Sequence, residues 1–222
     1  MKRSQLLGIA AVVGIVTLAG CGGDDCLSGS TKCGNTCVVL AEDNLNCGAC
    51  GNVCGAGQAC SAGACRTTFT SVVTNLPIAS LTGWSQCFLG LYNVVGDNLT
   101  TDIPAACTKP KILVGCRPTA ADTLTVAAMA PRADVFFVTG NASSPGVTHA
   151  ANGVAWYFDD NWSMGFARAG DAVTLNECDV NTATNSNLRL CWHTVTAGGY
   201  RCGATTGLNF STAWERIVFH AD

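Results

Sequence analysis

Fifteen cysteines in 222 residues constrain this chain more than any other feature, and eight of them fall in one short stretch. They are Cys26, Cys33, Cys37, Cys47, Cys50, Cys54, Cys60 and Cys65. Large apolar side chains are nearly absent around them; Val38-Val39-Leu40 is the longest run. A segment this small cannot bury enough apolar surface to offset its chain entropy without cross-links. Disulfides would supply them, at roughly 2–4 kcal/mol each. Cys33-Gly34-Asn35-Thr36-Cys37 recurs as Cys50-Gly51-Asn52-Val53-Cys54, and the glycine after each cysteine permits a positive φ beside the bridge. Loops and very short hairpins are expected here, without a helix. A second group, Cys87, Cys107, Cys116, Cys178, Cys191 and Cys202, lies downstream. Each group is even, as two separately oxidised units require.

The fifteenth cysteine, Cys21, stands apart. It follows Leu18-Ala19-Gly20, at the end of an apolar run from Leu6 to Leu18 that lies behind Lys2 and Arg3. A basic start, an apolar stretch and small residues before a cut describe an export signal. The run falls short of the about 20 residues of a membrane span. With the cysteine directly after it, the box resembles a bacterial lipoprotein signal with Cys21 as the lipid-attachment residue. The resemblance implies a mature chain starting at Cys21, an oxidising compartment where disulfides persist, and a membrane partner reached through acyl chains. Gly22, Gly23, Asp24 and Asp25 would form a short polar tether. Gly22 stands where an aspartate would mark inner-membrane retention, so the expected location is the cell envelope, periplasmic or surface-exposed, with the outer membrane preferred.

Cys47-Gly48-Ala49-Cys50-Gly51-Asn52-Val53-Cys54, continued through Cys60 to Cys65, resembles the cysteine-rich repeat of plant stigma-specific secreted proteins. It is equally similar to cysteine-rich modules in myxobacterial lipoproteins. The resemblance implies a secreted, disulfide-stapled scaffold over residues 21–66. The plant proteins often carry a paired cysteine where this chain has only Cys60, so it implies no particular pairing. Two other uses of Cys47-x-x-Cys50 compete with disulfides. One is half of a zinc site. The other is a redox pair, which needs a helix N-terminus, and Gly51, Gly55 and Gly57 break any helix after Cys50.

Residues 67–222 are long enough for one core and show mostly strand periodicity. Val154, Trp156 and Phe158 alternate with Ala155 and Tyr157; Asp159-Asp160-Asn161 is a turn cluster, and Trp162 to Ala167 returns. Leu188, Leu190 and Trp192 alternate with Arg189, Cys191 and His193. A last strand is predicted over Trp214 to His220. Leu124 to Ala128 and Val135 to Val138 flank Pro131 and suggest a hairpin or a bend between sheets. One short helix is predicted at Thr101 to Cys107, with Pro104 in its first turn. The fold class expected is mainly β: the disulfide-rich module followed by an antiparallel β-sandwich or jelly-roll-like domain. Pairing by nearness joins Cys107 to Cys116 and Cys191 to Cys202, leaving Cys87 with Cys178, one of several arrangements six cysteines allow.

The chain carries little chemistry in motifs. G-x-S-x-G, H-E-x-x-H and phosphate-binding glycine loops are missing from the sequence. His149, His193 and His220 are far apart, so no catalytic residues are assigned. Only 12% of residues are charged and the formal net charge is −3, without a basic patch, which argues against nucleic acid. The suggestive residues are aromatics beside polar turns. Tyr157 and Trp162 next to Asp159, Asp160 and Asn161 could stack a sugar ring and bind its hydroxyls. Asp159, Asp160, Asn161 and Asp171 could alternatively hold calcium, although a plain turn accounts for the first three. The expectation is a surface binding or adhesion module, with glycan as its ligand class; the alternatives are a purely structural envelope protein and a secreted hydrolase.

Overall fold

In the computed structural model the described residues are 26–94, 99–140, 146–159, 163–175, 178–179, 184–194 and 198–222; Cys21 and the leader lie outside them. The cysteine-rich segment forms two small hairpins. Strand β1 (Thr31–Cys33) pairs with β2 (Thr36–Val38), and β3 (Gln58–Ser61) with β4 (Ala64–Thr67). Four disulfides staple it: Cys26–Cys37, Cys33–Cys50, Cys47–Cys60 and Cys54–Cys65. Each bridge closes a loop that overlaps the next, so the segment is held as a row of interlinked rings. Gly48 sits where the rings cross. Its φ is +74°, and a Cβ there would collide with the Gly63 carbonyl. Cys47 and Cys50 are both bridged, to different partners, which removes the zinc and redox uses of that pair.

The remaining strands form two five-stranded antiparallel sheets. One contains β5 (Val73–Pro77), β6 (Ser85–Leu91), β7 (Lys111–Pro118), β8 (Thr123–Pro131) and β14 (Trp214–Ala221), in the order β5-β8-β7-β14-β6. The other is a sequential meander of β9 (His149–Ala151), β10 (Val154–Phe158), β11 (Ser163–Arg168), β12 (Leu190–His193) and β13 (Arg201–Cys202). The predicted hairpin is β10–β11, with Trp156 opposite Phe166 and their rings edge to face at 5.4 Å. Alternation along each strand sends one set of side chains into a shared core. Ile112, Val114, Val126, Ala128 and Val218 come from the first sheet. Val154, Trp156, Met164, Phe166, Leu190 and Trp192 come from the second. Trp156 and Trp192 are both fully buried. Burial of such side chains contributes of the order of 2–3 kcal/mol each.

Two expectations are corrected. Val135 to Val138 is not a strand, because the chain turns into a short helix, α2 (Arg132–Val135), directly after Pro131. The Arg132 guanidinium fixes that turn by donating to the Cys107 and Pro104 carbonyls at 3.0 and 2.8 Å. Those acceptors lie at the end of helix α1 (Leu99–Ala106), which takes in all but the last residue of the predicted stretch, carries Pro104 inside it rather than in its first turn, and buries Leu99 and Ile103 four residues apart. The pairing of downstream cysteines is also different: Cys87–Cys107, Cys116–Cys202 and Cys178–Cys191. Face parity explains why. Cys202 lies opposite Leu190, which points into the core, whereas Cys191 lies opposite Arg201 on the outer face. The two cannot meet through the sheet.

Both outer faces are covered. Residues 67–84 lay Phe69, Ile78, Leu81 and Trp84 over Leu113, Met129, Ile217 and Phe219. On the meander, Val173, Leu175 and the Cys178–Cys191 bridge cover Tyr157 and Ala167.

Candidate functional site

Tyr157 occupies the outward face of β10, as its alternation predicts, but it is not available for stacking. Val173, Leu175 and Cys178 pack over it, it is completely buried, and its hydroxyl donates to the Leu190 carbonyl at 2.9 Å. Gly165 makes room for that contact, since a Cβ there would collide with both Tyr157 and Leu190. Burial, then the nearby Asp179 charge, pushes the Tyr157 phenol well above its ordinary value. Asp159 is buried; its N–H donates to Ser163 O at 3.0 Å and its carbonyl accepts from Thr194 Oγ1 at 2.9 Å. Asp160, Asn161 and Trp162 lie outside the described residues. Asp171, the fourth calcium candidate, accepts two bonds from the Asn185 amide, at 3.1 and 2.9 Å, and lies against Arg168 and Arg189. Among the described residues the one convergent group of potential metal-binding atoms is Cys47, Cys54 and Cys65, all bridged sulfurs.

The same end of the sandwich presents an aromatic that strand periodicity concealed. Phe136 and Phe137 follow α2 on an irregular segment. Phe136 turns inward, edge to face with Phe158 at 5.6 Å. Phe137 turns outward and is half exposed, as is Val147; Val138 is more exposed still. The Phe137 ring stacks on the His149 imidazole, 4.3 Å between centroids and 18° from parallel. His149 is in turn held by Asp134 of α2, Nε2 to Oδ1 at 2.7 Å. Thr139 fixes the segment against the end of β10. Its N–H donates to Phe158 O at 3.0 Å, and its hydroxyl accepts from Phe158 N–H at 3.2 Å. Phe137 therefore lies on a strip of chain that Thr139 ties to the end of β10, its ring on His149 of the neighbouring β9.

An imidazole with a carboxylate behind it is also the orienting half of a hydrolytic triad. Among the described residues no hydroxyl or thiol is hydrogen-bonded to His149. What the group offers is a flat apolar ring on a polar, oriented backing. The signal that could have found it is the pair Phe136-Phe137 after a helix-starting proline: on a turn, two adjacent aromatics cannot both enter the core. Compared with protein-family models, with curated proteins and with solved structures, the chain matches none.

Proposed function

We propose that this chain is a lipid-anchored bacterial envelope protein whose β-sandwich is a surface binding or adhesion module, with glycans as its ligand class. The observation that carries the binding reading is Phe137, a half-exposed ring stacked on an imidazole that Asp134 orients. A sugar presents a C–H face to such a ring and hydroxyls to the acid and imidazole around it. Exposed apolar side chains rimmed by polar ones are a surface mark of recognition. Seven disulfides suit an exported protein, and Cys21 supplies the anchor in this reading. The test is an array of cell-wall and extracellular glycans probed with the full chain in detergent. Binding that Phe137→Ala lowers by about tenfold or more, the scale of one lost stacking contact, supports the site. If Phe137→Ala binds as the parent does and Trp162→Ala does not, the site belongs to the turn. If neither parent nor variants bind any glycan, the ligand class is wrong. Cys21→Ser tests the anchor separately, by moving the protein from the membrane to the soluble fraction.

A further inference from the structure

A different hollow lies where the cysteine-rich segment meets the sandwich. Residues 67–84 do not seal the outer face of the first sheet completely. Between them and β7–β8 they leave a cavity of ≈ 180 Å³ lined by Thr68, Trp84, Lys111, Met129, Ala130, Pro131 and Asn152. Its walls are rigid. The Trp84 indole N–H donates to Thr67 O at 2.8 Å, which fixes the ring. The Asn152 amide spends its donors on Phe69 O at 2.9 Å and Met129 O at 2.8 Å. Apart from Thr68, the lining that remains is an indole, a thioether, a methyl group, a pyrrolidine ring and the Lys111 side chain, whose ammonium group is hydrogen-bonded to Ser61 Oγ.

The ammonium group has a distinctive setting. Three cations, Arg66, Lys109 and Lys111, gather at this seam in a chain whose formal net charge is −3. One carboxylate, Asp222, serves the first two, each at 3.2 Å. Lys111 makes no salt bridge among the described residues, although the Asp222 charge also reaches it; its hydrogen bond runs to Ser61 Oγ at 2.7 Å. An ammonium carries three donors, so Lys111 can take an anion without giving up Ser61.

We propose that this cavity binds a small organic carboxylate with an aromatic or short aliphatic body, its acid on Lys111 and its body against Trp84 and Met129. The volume lies below the range for drug-sized ligands, about 300–1,000 Å³, and suits a molecule of about ten heavy atoms. The site is independent of the Phe137 surface, so either can fail alone.

The test uses the full chain in detergent, labelled with ¹⁵N, and follows its indole N–H signals. The probes are 3-phenylpropanoate and the neutral 3-phenylpropan-1-ol. Trp84→Phe identifies the Trp84 signal. The carboxylate should move that signal and leave those of the core residues Trp156 and Trp192 in place. It should bind about tenfold more tightly than the alcohol, the scale of one charge-assisted hydrogen bond. Lys111→Met should reduce the carboxylate to the level of the alcohol, and Lys111→Arg should restore part of the preference. Unchanged Trp156 and Trp192 signals show that each variant is folded. Three results would overturn the proposal: no Trp84 shift up to about 10 mM probe, a weak limit for a ligand of this size; equal titration by the acid and the alcohol; or a preference that survives Lys111→Met.

Discussion

At the scale of single residues, the outer face of the meander contains a buried group of charges. Arg189 and Arg201 are both buried, and both reach Asp179, which has no exposure. The Arg189 Nη1 donates to Asp179 Oδ2 at 2.6 Å and to Ala172 O at 2.9 Å, while its Nε donates to Thr184 O at 2.8 Å. Arg201 donates to the Asp179 carbonyl and, through Nε, to Gly203 O at 2.9 Å. Burial lowers the Arg201 pKa, with the Asp179 charge opposing it. Removing one partner of such a group leaves charge in a dry interior, and the cost far exceeds that of losing a surface ion pair. Asp179→Asn keeps the shape and deletes the charge. It should destabilise the fold by about 3–5 kcal/mol, measured by urea unfolding with the disulfides intact. Arg168→Ala should cost less than about 0.5 kcal/mol, because its side chain is half exposed and 3.6 Å from Asp171.

Among the elements, β7 and β13 are tied across the core by Cys116–Cys202, a bridge that spans 86 residues of sequence and joins the two sheets. Cys87–Cys107 spans 20 and joins β6 to the end of α1. In the chain-entropy picture, the longer loop stabilises more, roughly 4–5 kcal/mol against about 3. Paired serine replacement at 116 and 202 should therefore lower the urea midpoint further than the same change at 87 and 107. The result would show which bridge holds the sheets face to face. These elements also show what the sequence reveals. The β10–β11 hairpin, β12 and β14 were legible because alternation and an Asp-Asn turn point the same way. The two cysteine groups were legible from parity, since the structure closes each within itself. Pairing within the second group was not legible, because it depends on which strands face each other across the core. Cys116 and Cys202 meet through sheet stacking, which no local pattern encodes. Tyr157 shows the same limit at a site. Alternation put it outside the sheet, but only the fold shows that Val173, Leu175 and Cys178 close over it. Phe137 was hidden for the converse reason: Val135 to Val138 has strand composition, and the Arg132 contacts with α1 override it.

At the scale of the whole molecule, the cysteine-rich segment and the sandwich are joined by hydrogen bonds as well as by the chain. Ser61 Oγ donates to Asp222 O at 2.8 Å, Thr68 N–H donates to Gly57 O at 2.9 Å, and Arg66 Nη1 donates to Gly83 O at 2.6 Å. Asp222 is the electrostatic centre of this seam. The hydrogen bond from Lys109 holds its carboxyl below the usual value of 3.8, with the Lys109, Arg66 and His220 charges adding to the effect. A carboxyl whose folded pKa is depressed contributes stability that is complete above its unfolded value and is lost as pH falls through the folded one. His220 acts in the same direction at higher pH. Burial, then Lys109, lowers its pKa from 6.5, so the unfolded chain takes up that proton first and stability declines below that value. The seam should therefore loosen in two steps on acidification, a shallow one below 6.5 and a second below 3.8. Hydrogen exchange, corrected for its intrinsic pH dependence, reads this at the Thr68 amide. Its protection should fall in acid, while the amide of Val114 in the core keeps its own. Asp222→Asn should abolish the lower step and leave the upper one. If Thr68 and Val114 instead lose protection together, the segment and the sandwich unfold as one cooperative unit, and Asp222 does not act as a latch between them.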